Sequence, residues 1–518
     1  MTEETQQQDK PKISFLRNYY FVGFLVILLF AIFLRFKYSF IDSIWNDEAV
    51  YIWNGIRVLL QPSHIFSTEF LSAGAIIPQL MITFFHIFTD SFTAGRIVAV
   101  IFSLLGIIFA YLLGKEVKGS SVGLIAAILI TVNSIYWFIG SKALMDVPVA
   151  AATTIAAWAL IKFEKNNTVK WAIIATILAV LPSFVKGVGS IVILLYILYF
   201  LITRRQKIFK DKLVWIALSA PLFILTVGNL IYFFIFDQFL TTNLFGRIFS
   251  LAGLSSPFGT TLQFFSFTLG INSFISWFLA IILVLGIILS FVYRKKEDLI
   301  LLLWFFAFLA FVEFSLGRKS DPLPDPRNVL PALIIAYVII GKTFNEIVEY
   351  LKILTKVKIS MWIFVVLVVI ISIPIYSASV NGFFGPQRNF SFSGYQEAGQ
   401  WLKENVPKES LIYSTAPRQI RTFSERDYKR DLYNVDYGGT VIYLFHFKTF
   451  EEFAEEIKDK KDIYLHIDVF ESGQPDWASP PNQEKIEALK TLGFIPIKEI
   501  QNQVGDQNII IGIILHKT

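Results

Sequence analysis

Apolar runs of about 20 residues, separated by short polar or basic stretches, recur along the first 380 residues. A helix of that length rises far enough to cross a hydrocarbon core of roughly 30 Å. The pattern predicts eleven spans, near 20–37, 95–114, 121–139, 147–163, 169–185, 188–203, 213–236, 272–293, 299–317, 328–348 and 359–380. The apolar stretch 73–90 also carries Pro78, Gln79, His86 and Asp90, and reads as a re-entrant or surface-lying helix. Residues 48–60 predict a second surface helix, with Val50, Trp53, Ile56 and Leu60 at helical spacing on one face.

After residue 390 the period changes. Segments 409–415, 441–447, 462–470, 494–500 and 508–516 read as strands, and 395–405, 450–460 and 482–492 as helices. Such alternation predicts a small soluble α/β layer. The expected fold class is an all-α polytopic membrane domain, with about eleven transmembrane helices and outer juxtamembrane helices, followed by that α/β domain. The expected divisions are a tail over 1–19, a membrane domain over 20–380 and a soluble domain over 390–518.

Charge sets the expected sidedness. The basic loops 115–118, 162–170, 204–212, 294–296 and 352–358 fall on one side only if 73–90 does not cross. The tail, with Lys10, Lys12 and Arg17, joins them, and the positive-inside trend makes that side cytoplasmic. The α/β domain is then extracytoplasmic. Charged residues are 17% of the chain, against about 25% in a soluble domain. Net charge is +6, but residues 381–518 hold 16 Lys and Arg against 20 Asp and Glu. The positive excess therefore belongs to membrane loops and does not suggest a nucleic-acid partner. There is no cysteine, which excludes thiol chemistry and Cys-ligated zinc, and the five histidines show no H-x-x-x-H spacing.

Three features suggest chemistry at the outer edge. The first is the pair Asp47-Glu48, set between Trp45 and Trp53. A carboxylate at a low-dielectric edge can take a proton from a hydroxyl, although acids also cap helix N-termini. The second is Asp146 in "SKALMDVPVAAA", where Pro148 suits the first turn of a span and Asp146 equally suits its cap. The third is basic charge on the outer side: Arg57, Lys186, Arg318, Lys319 and Arg327. Lys186-Gly187 interrupts an apolar run, where an ionisable residue is a functional candidate. Arg35 and Lys37 suit snorkelling to lipid phosphates. Acids and fixed cations facing one outer cavity would suit group transfer from a lipid phosphate carrier.

"IWNDEAVYIWNGIRVL" resembles the first outer loop of GT-C fold glycosyltransferases that use polyprenyl-phosphate sugars, the superfamily of protein O-mannosyltransferases and lipid A aminoarabinose transferases. "ALMDVPVAA", "FVKGVGSIVIL" and "DPRNVLPALIIAY" resemble later motifs in the same order. The resemblance covers roughly residues 15–350 and implies an inverting transfer to an acceptor hydroxyl. Asp47 would be the base, Glu48 and Asp146 would shape the site, and Lys186, Arg318, Lys319, Arg327 and Arg57 would hold the donor phosphate. The implied partners are a polyprenyl-phosphate sugar, an acceptor protein, lipid or glycan, and the bilayer.

Departures from the family pattern are Val50 where an Arg is usual, and Pro78 alone where Lys-Pro-Pro is usual. Of the zinc ligands of the aminoarabinose branch, Glu69 matches one, but residues 237–271 hold no His, so no cofactor is predicted and a divalent metal lacks a ligand set. The alternatives are an oligosaccharyltransferase of the same fold and a non-catalytic lipid transporter. "NVDYGGT" lacks the paired tryptophans of the first, and paired repeats expected of the second are not seen.

Overall fold

The computed structural model describes residues 19–72, 74–236, 273–316, 326–357, 360–384, 392–430, 436–470, 474–504 and 507–518. The candidate cations Arg318 and Lys319 lie outside the described residues. In chain order the first helices are α1 (Tyr19–Tyr38), α2 (Asn46–Leu60), α3 (Thr68–Ser72), α4 (Ile76–His86), α5 (Ser91–Lys118), α6 (Ser120–Val132), α7 (Ser134–Gly140) and α8 (Asp146–Asn166). They continue as α9 (Val169–Val180), α10 (Ile191–Arg204), α11 (Lys212–Phe223), α12 (Asn229–Phe236), α13 (Ser273–Tyr293), α14 (Lys296–Leu316), α15 (Leu330–Thr355) and α16 (Trp362–Phe383).

Among the described residues, each of the eleven expected spans contains helix. Seven described stretches are long and apolar enough to cross a membrane, or eight if α6 and α7 count as one span bent by 67°. The stretches 169–184 and 277–293 are apolar but shorter. Asn133 makes the bend within the stretch 121–139, which hydropathy alone predicts as a single span. Its Oδ1 caps α7 by accepting from the Tyr136 N–H at 2.9 Å, and its amide donates to the Tyr337 hydroxyl at 2.9 Å.

The chain divides into two compact units. The first comprises residues 1–35, 101–140 and 146–379. At its centre α15 is buried from Leu330 through Phe344. Small residues let neighbours close on it. A Cβ on Gly341 would lie 2.9 Å from the Val122 carbonyl, and one on Gly286 would lie 2.7 Å from Ile339. Buried Lys342 ties three helices, reaching Asp298 at 2.5 Å, Ser290 Oγ at 2.9 Å and Glu346 at 3.4 Å. Arg35 does not snorkel to lipid. It is fully buried, and donates to Ser103 Oγ at 3.2 Å and to the Thr131 carbonyl at 2.8 Å. The last turn of α6, which ends at the Asn133 bend, leaves that carbonyl without a helical partner.

The second unit comprises residues 36–100, 141–145 and 380–518. In it the segments 36–100 and 141–145 pack with the C-terminal region. A six-stranded sheet forms from β1 (Leu411–Ser414), β2 (Tyr428–Arg430), β3 (Val441–Tyr443), β4 (Ile463–Asp468), β5 (Phe494–Val504) and β6 (Gln507–Lys517), in the order β2-β3-β1-β4-β6-β5. β2, β3, β1 and β4 run parallel, and β6 pairs antiparallel with β4 and β5. Strand alternation splits the core in two. Ile412, Tyr464 and Ile514 face α17 (Tyr395–Asn405) and α18 (Pro417–Ser424). Tyr413, Leu465 and Leu515 face α19 (Phe450–Glu456) and α20 (Gln483–Thr491). β2 and α18 are the elements that strand and helix periodicity did not predict.

Candidate functional site

The acidic pair divides at the first turn of α2. Asp47 is exposed, whereas Glu48 is fully buried. Both Glu48 oxygens are engaged. Oε1 accepts from the Ala143 N–H at 2.7 Å and lies 2.8 Å from Arg96 Nε in an ion pair. Oε2 accepts from the Arg96 Nη2 at 3.0 Å and from the Trp45 N–H at 3.0 Å. Three hydrogen bonds and the ion pair hold the carboxylate. Glu48 therefore acts as an anchor that stitches α2 to α5 and to the segment 141–145.

Three residues that no motif in the sequence singles out, Arg96, Asp42 and Lys142, complete this anchor. Arg96 also meets Asp42 at 3.3 Å, and Lys142 forms a close ion pair with Asp42. Burial pushes Asp42 upward, but Lys142 and Arg96 outweigh it and hold the carboxyl below its ordinary range. Burial, then Arg96, push the Lys142 ammonium down to about 8, against the pull of Asp42 and Glu48. Lys142 lies 4.6 Å from the centre of the Trp45 ring. The available signal was Arg96 itself, a charge inside the apolar run "AGRIVAVIF".

The buried face of α2 is Ala49, Ile52, Trp53 and Ile56, while Leu59 and Leu60 are exposed. Compared with the predicted face, Trp53 and Ile56 stay inside while Leu60 moves out. The face rotates because Gly55 lets α4 approach: a Cβ there would lie 2.8 Å from Ile82 Cγ2 and 3.0 Å from the Gln79 carbonyl.

Arg57, expected among the phosphate-binding cations, is already neutralised. It meets Glu69 at 3.0 Å and Asp427 at 2.9 Å. Arg421 closes the ring, 3.1 Å from Glu69 and 3.7 Å from Asp427. Its guanidinium sits 3.9 Å from the centre of the Tyr428 ring and 5.4 Å from that of Trp53. Burial would lower Arg421, but Tyr428, Glu69, Tyr443 and Asp427 raise it overall. Glu69, the residue matched to a zinc ligand, is thus held by two arginines. Among the described residues no group of three His, Asp or Glu is placed to hold a metal.

In the first unit, Asp146 is the first residue of α8 and is buried. Its carboxylate takes the Lys186 ammonium at 2.5 Å, with the Lys186 side chain 26% exposed. The structure thus brings together two residues expected at the site from 40 positions apart. Arg327 stands half-buried in the turn Pro326–Val329 that leads into α15.

Residues 74–232 match the family model of dolichyl-phosphate-mannose-protein mannosyltransferases. No curated protein sequence matches the chain. Among solved structures, the chain is similar to ArnT from Cupriavidus metallidurans bound to undecaprenyl phosphate, with 12% identity and a TM-score of 0.58 over 97% of this chain and 98% of that one. It is also similar to the oligosaccharyltransferase AglB from Archaeoglobus fulgidus in complex with an inhibitory peptide and a dolichol-phosphate. There the identity is 14% and the TM-score 0.52, over 88% of this chain and 70% of that one. The contact of α2 with α18, the long apolar helices and these likenesses agree: the chain is a multi-pass membrane protein of the GT-C glycosyltransferase fold.

Proposed function

We propose that the chain is an inverting glycosyltransferase that moves a monosaccharide from a polyprenyl phosphate, undecaprenyl or dolichyl, to an acceptor hydroxyl on the extracytoplasmic side. The observation that carries this reading is the division within the acidic turn. Glu48 is locked by three hydrogen bonds and the Arg96 ion pair, and Asp47 next to it is the exposed carboxylate. In the reaction Asp47 accepts the proton of the acceptor hydroxyl. The oxygen attacks the anomeric carbon as the bond from that carbon to the phosphate oxygen breaks. The electron pair leaves with the polyprenyl phosphate, whose growing charge falls to Lys186, Arg318, Lys319 and Arg327. Asp146 holds Lys186 in place for that role. The acceptor is a protein, lipid or glycan.

The test is to supply membranes containing the full chain with a panel of polyprenyl-phosphate sugars and identify products by mass spectrometry. One monosaccharide donor should be consumed, and Asp47→Asn should stop its transfer. Consumption of a lipid-linked oligosaccharide alone would favour the oligosaccharyltransferase alternative. Transfer that persists in Asp47→Asn would overturn the base assignment. Sidedness has its own readout, because the chain contains no cysteine. A cysteine introduced at exposed Lys458 should react with a membrane-impermeant maleimide from outside intact cells.

A further inference from the structure

The proposed reaction gives no task to α18, although that helix is where the C-terminal sheet reaches α2. Its start is fixed by a buried polar knot at the carboxyl ends of β1 and β4. Ser414 Oγ and His466 Nδ1 lie 3.0 Å apart, and the Ser414 oxygen accepts from the Ala416 N–H at 3.0 Å. Thr415 donates to the Asp468 carboxylate, which also takes the Tyr395 hydroxyl at 3.0 Å. Each of these side chains is buried.

From that fixed start α18 makes two separate contacts with α2. Thr422 Oγ1 donates to the Ala49 carbonyl at 3.3 Å. Arg418 Nη1 donates to Asn46 Oδ1 at 3.3 Å, and its Nε donates to the Tyr443 hydroxyl at 3.4 Å. Asp47 is the next residue after Asn46, and its charge acts on the Arg418 guanidinium. One turn on, Arg421 is engaged by two carboxylates, whereas the hydrogen-bond partners of Arg418 are neutral.

We propose that Arg418 is a positioning residue for the acidic turn. This inference rests on the reading of Asp47 as the base. Glu48 pins one side of Asp47 through Arg96 and Ala143. Arg418 pins the other side through Asn46, from a part of the chain 372 residues away. The Asp47 side chain stands between two fixed neighbours, and its direction depends on both. Misplacing a reacting group by about 1 Å can cost roughly a hundredfold in rate, so a clamp that touches no substrate still sets turnover.

The test is a double-mutant cycle of Asn46→Ala and Arg418→Met in the full chain. The assay is release of undecaprenyl phosphate from undecaprenyl-phosphate mannose in membranes. Arg418→Met should lower kcat by about 10- to 100-fold and leave the donor KM within about twofold, because the loss is one of orientation. Arg418→Lys keeps the charge but cannot reach both Asn46 and Tyr443, so it should recover only part of kcat. The double variant should be no slower than the slower single variant. If Arg418→Met does not fold, Asn46→Ala breaks the same hydrogen bond from its other end and should lower kcat alike with the donor KM within about twofold. Additive losses, or an Arg418→Met enzyme at wild-type kcat, would overturn the inference. If Asp47→Asn stops turnover while the cycle is additive, only the Arg418 role falls. If Asp47→Asn turns over normally, the base assignment falls instead.

Discussion

Two adjacent carboxylates should fail in opposite ways. In Glu48→Ala the Arg96 guanidinium loses its bidentate partner and keeps Asp42 at 3.3 Å and three backbone carbonyls. The Trp45 and Ala143 N–H groups lose their acceptor outright. Removing one partner of a buried ion pair costs about 3–5 kcal/mol, and the remaining Asp42 places the expected loss near the lower end, about 3 kcal/mol. At about 2–4 °C per kcal/mol, the midpoint should fall by roughly 6–12 °C. Asp47→Asn changes an exposed side chain, so its stability should stay within about 0.5 kcal/mol. Its turnover should fall by about 10²–10⁴, the contribution of a general base. The assay is a thermal scan of detergent-purified protein at one fixed rate, paired with donor consumption by the same samples. Adding Arg96→Ala to Glu48→Ala should cost less than the two single losses together, because the second change removes the stranded charge. Equal loss of stability in Asp47→Asn and Glu48→Ala, or an unshifted midpoint in Glu48→Ala, would refute the reasoning.

Other parts of the second unit give sharper single tests. Arg421→Lys should destabilise almost as much as Arg421→Ala, because an ammonium cannot bridge Glu69 and Asp427 while stacking on Tyr428; the melting temperatures of the two variants read the comparison. Burial, then Arg57, hold His64 down at about 4, with Asn54 Oδ1 3.2 Å from Nε2 and Ser67 Oγ 2.8 Å from Nδ1. The unfolded chain therefore binds a proton between about pH 6.5 and 4 that the folded one refuses, so stability is full above pH 6.5 and falls by up to about 3 kcal/mol as pH drops through that window. His64→Gln should flatten the fall in melting temperature across it. Gly55→Val should cost about 1–3 kcal/mol, since its first carbon alone would meet Ile82 and the Gln79 carbonyl, and melting temperature reads the loss.

The membrane architecture was legible because a helix in lipid must satisfy its own backbone, which forces long apolar runs onto the sequence. The breaks were harder to see. Asn133 turns a chain that is apolar on both sides of it, and one capping residue leaves no mark on a hydropathy average. The acidic turn was visible as a pair of like residues. Their difference was not, because it comes from Arg96 and Ala143, 48 and 95 positions further along. Arg57 was read by its sign alone, and the acids that neutralise it lie in α3 and beside β2. α18 was missed for a local reason: "PRQIRTFS" is polar at most positions, and its burial comes from arginines whose partners lie elsewhere in the chain.

The contact between Arg421 and Glu69 joins residues 352 positions apart. At about 5–20 residues added per second, on the order of half a minute passes between the synthesis of the two. For that interval Glu69 and Arg57 have each other, while Asp427 and Arg421 do not yet exist. A ribosome that stops early leaves α2 and α3 permanently short of half their ring. The later segment therefore completes what the earlier one began, and a product truncated between them exposes the face of α2 that α18 covers, on which cellular quality control can act.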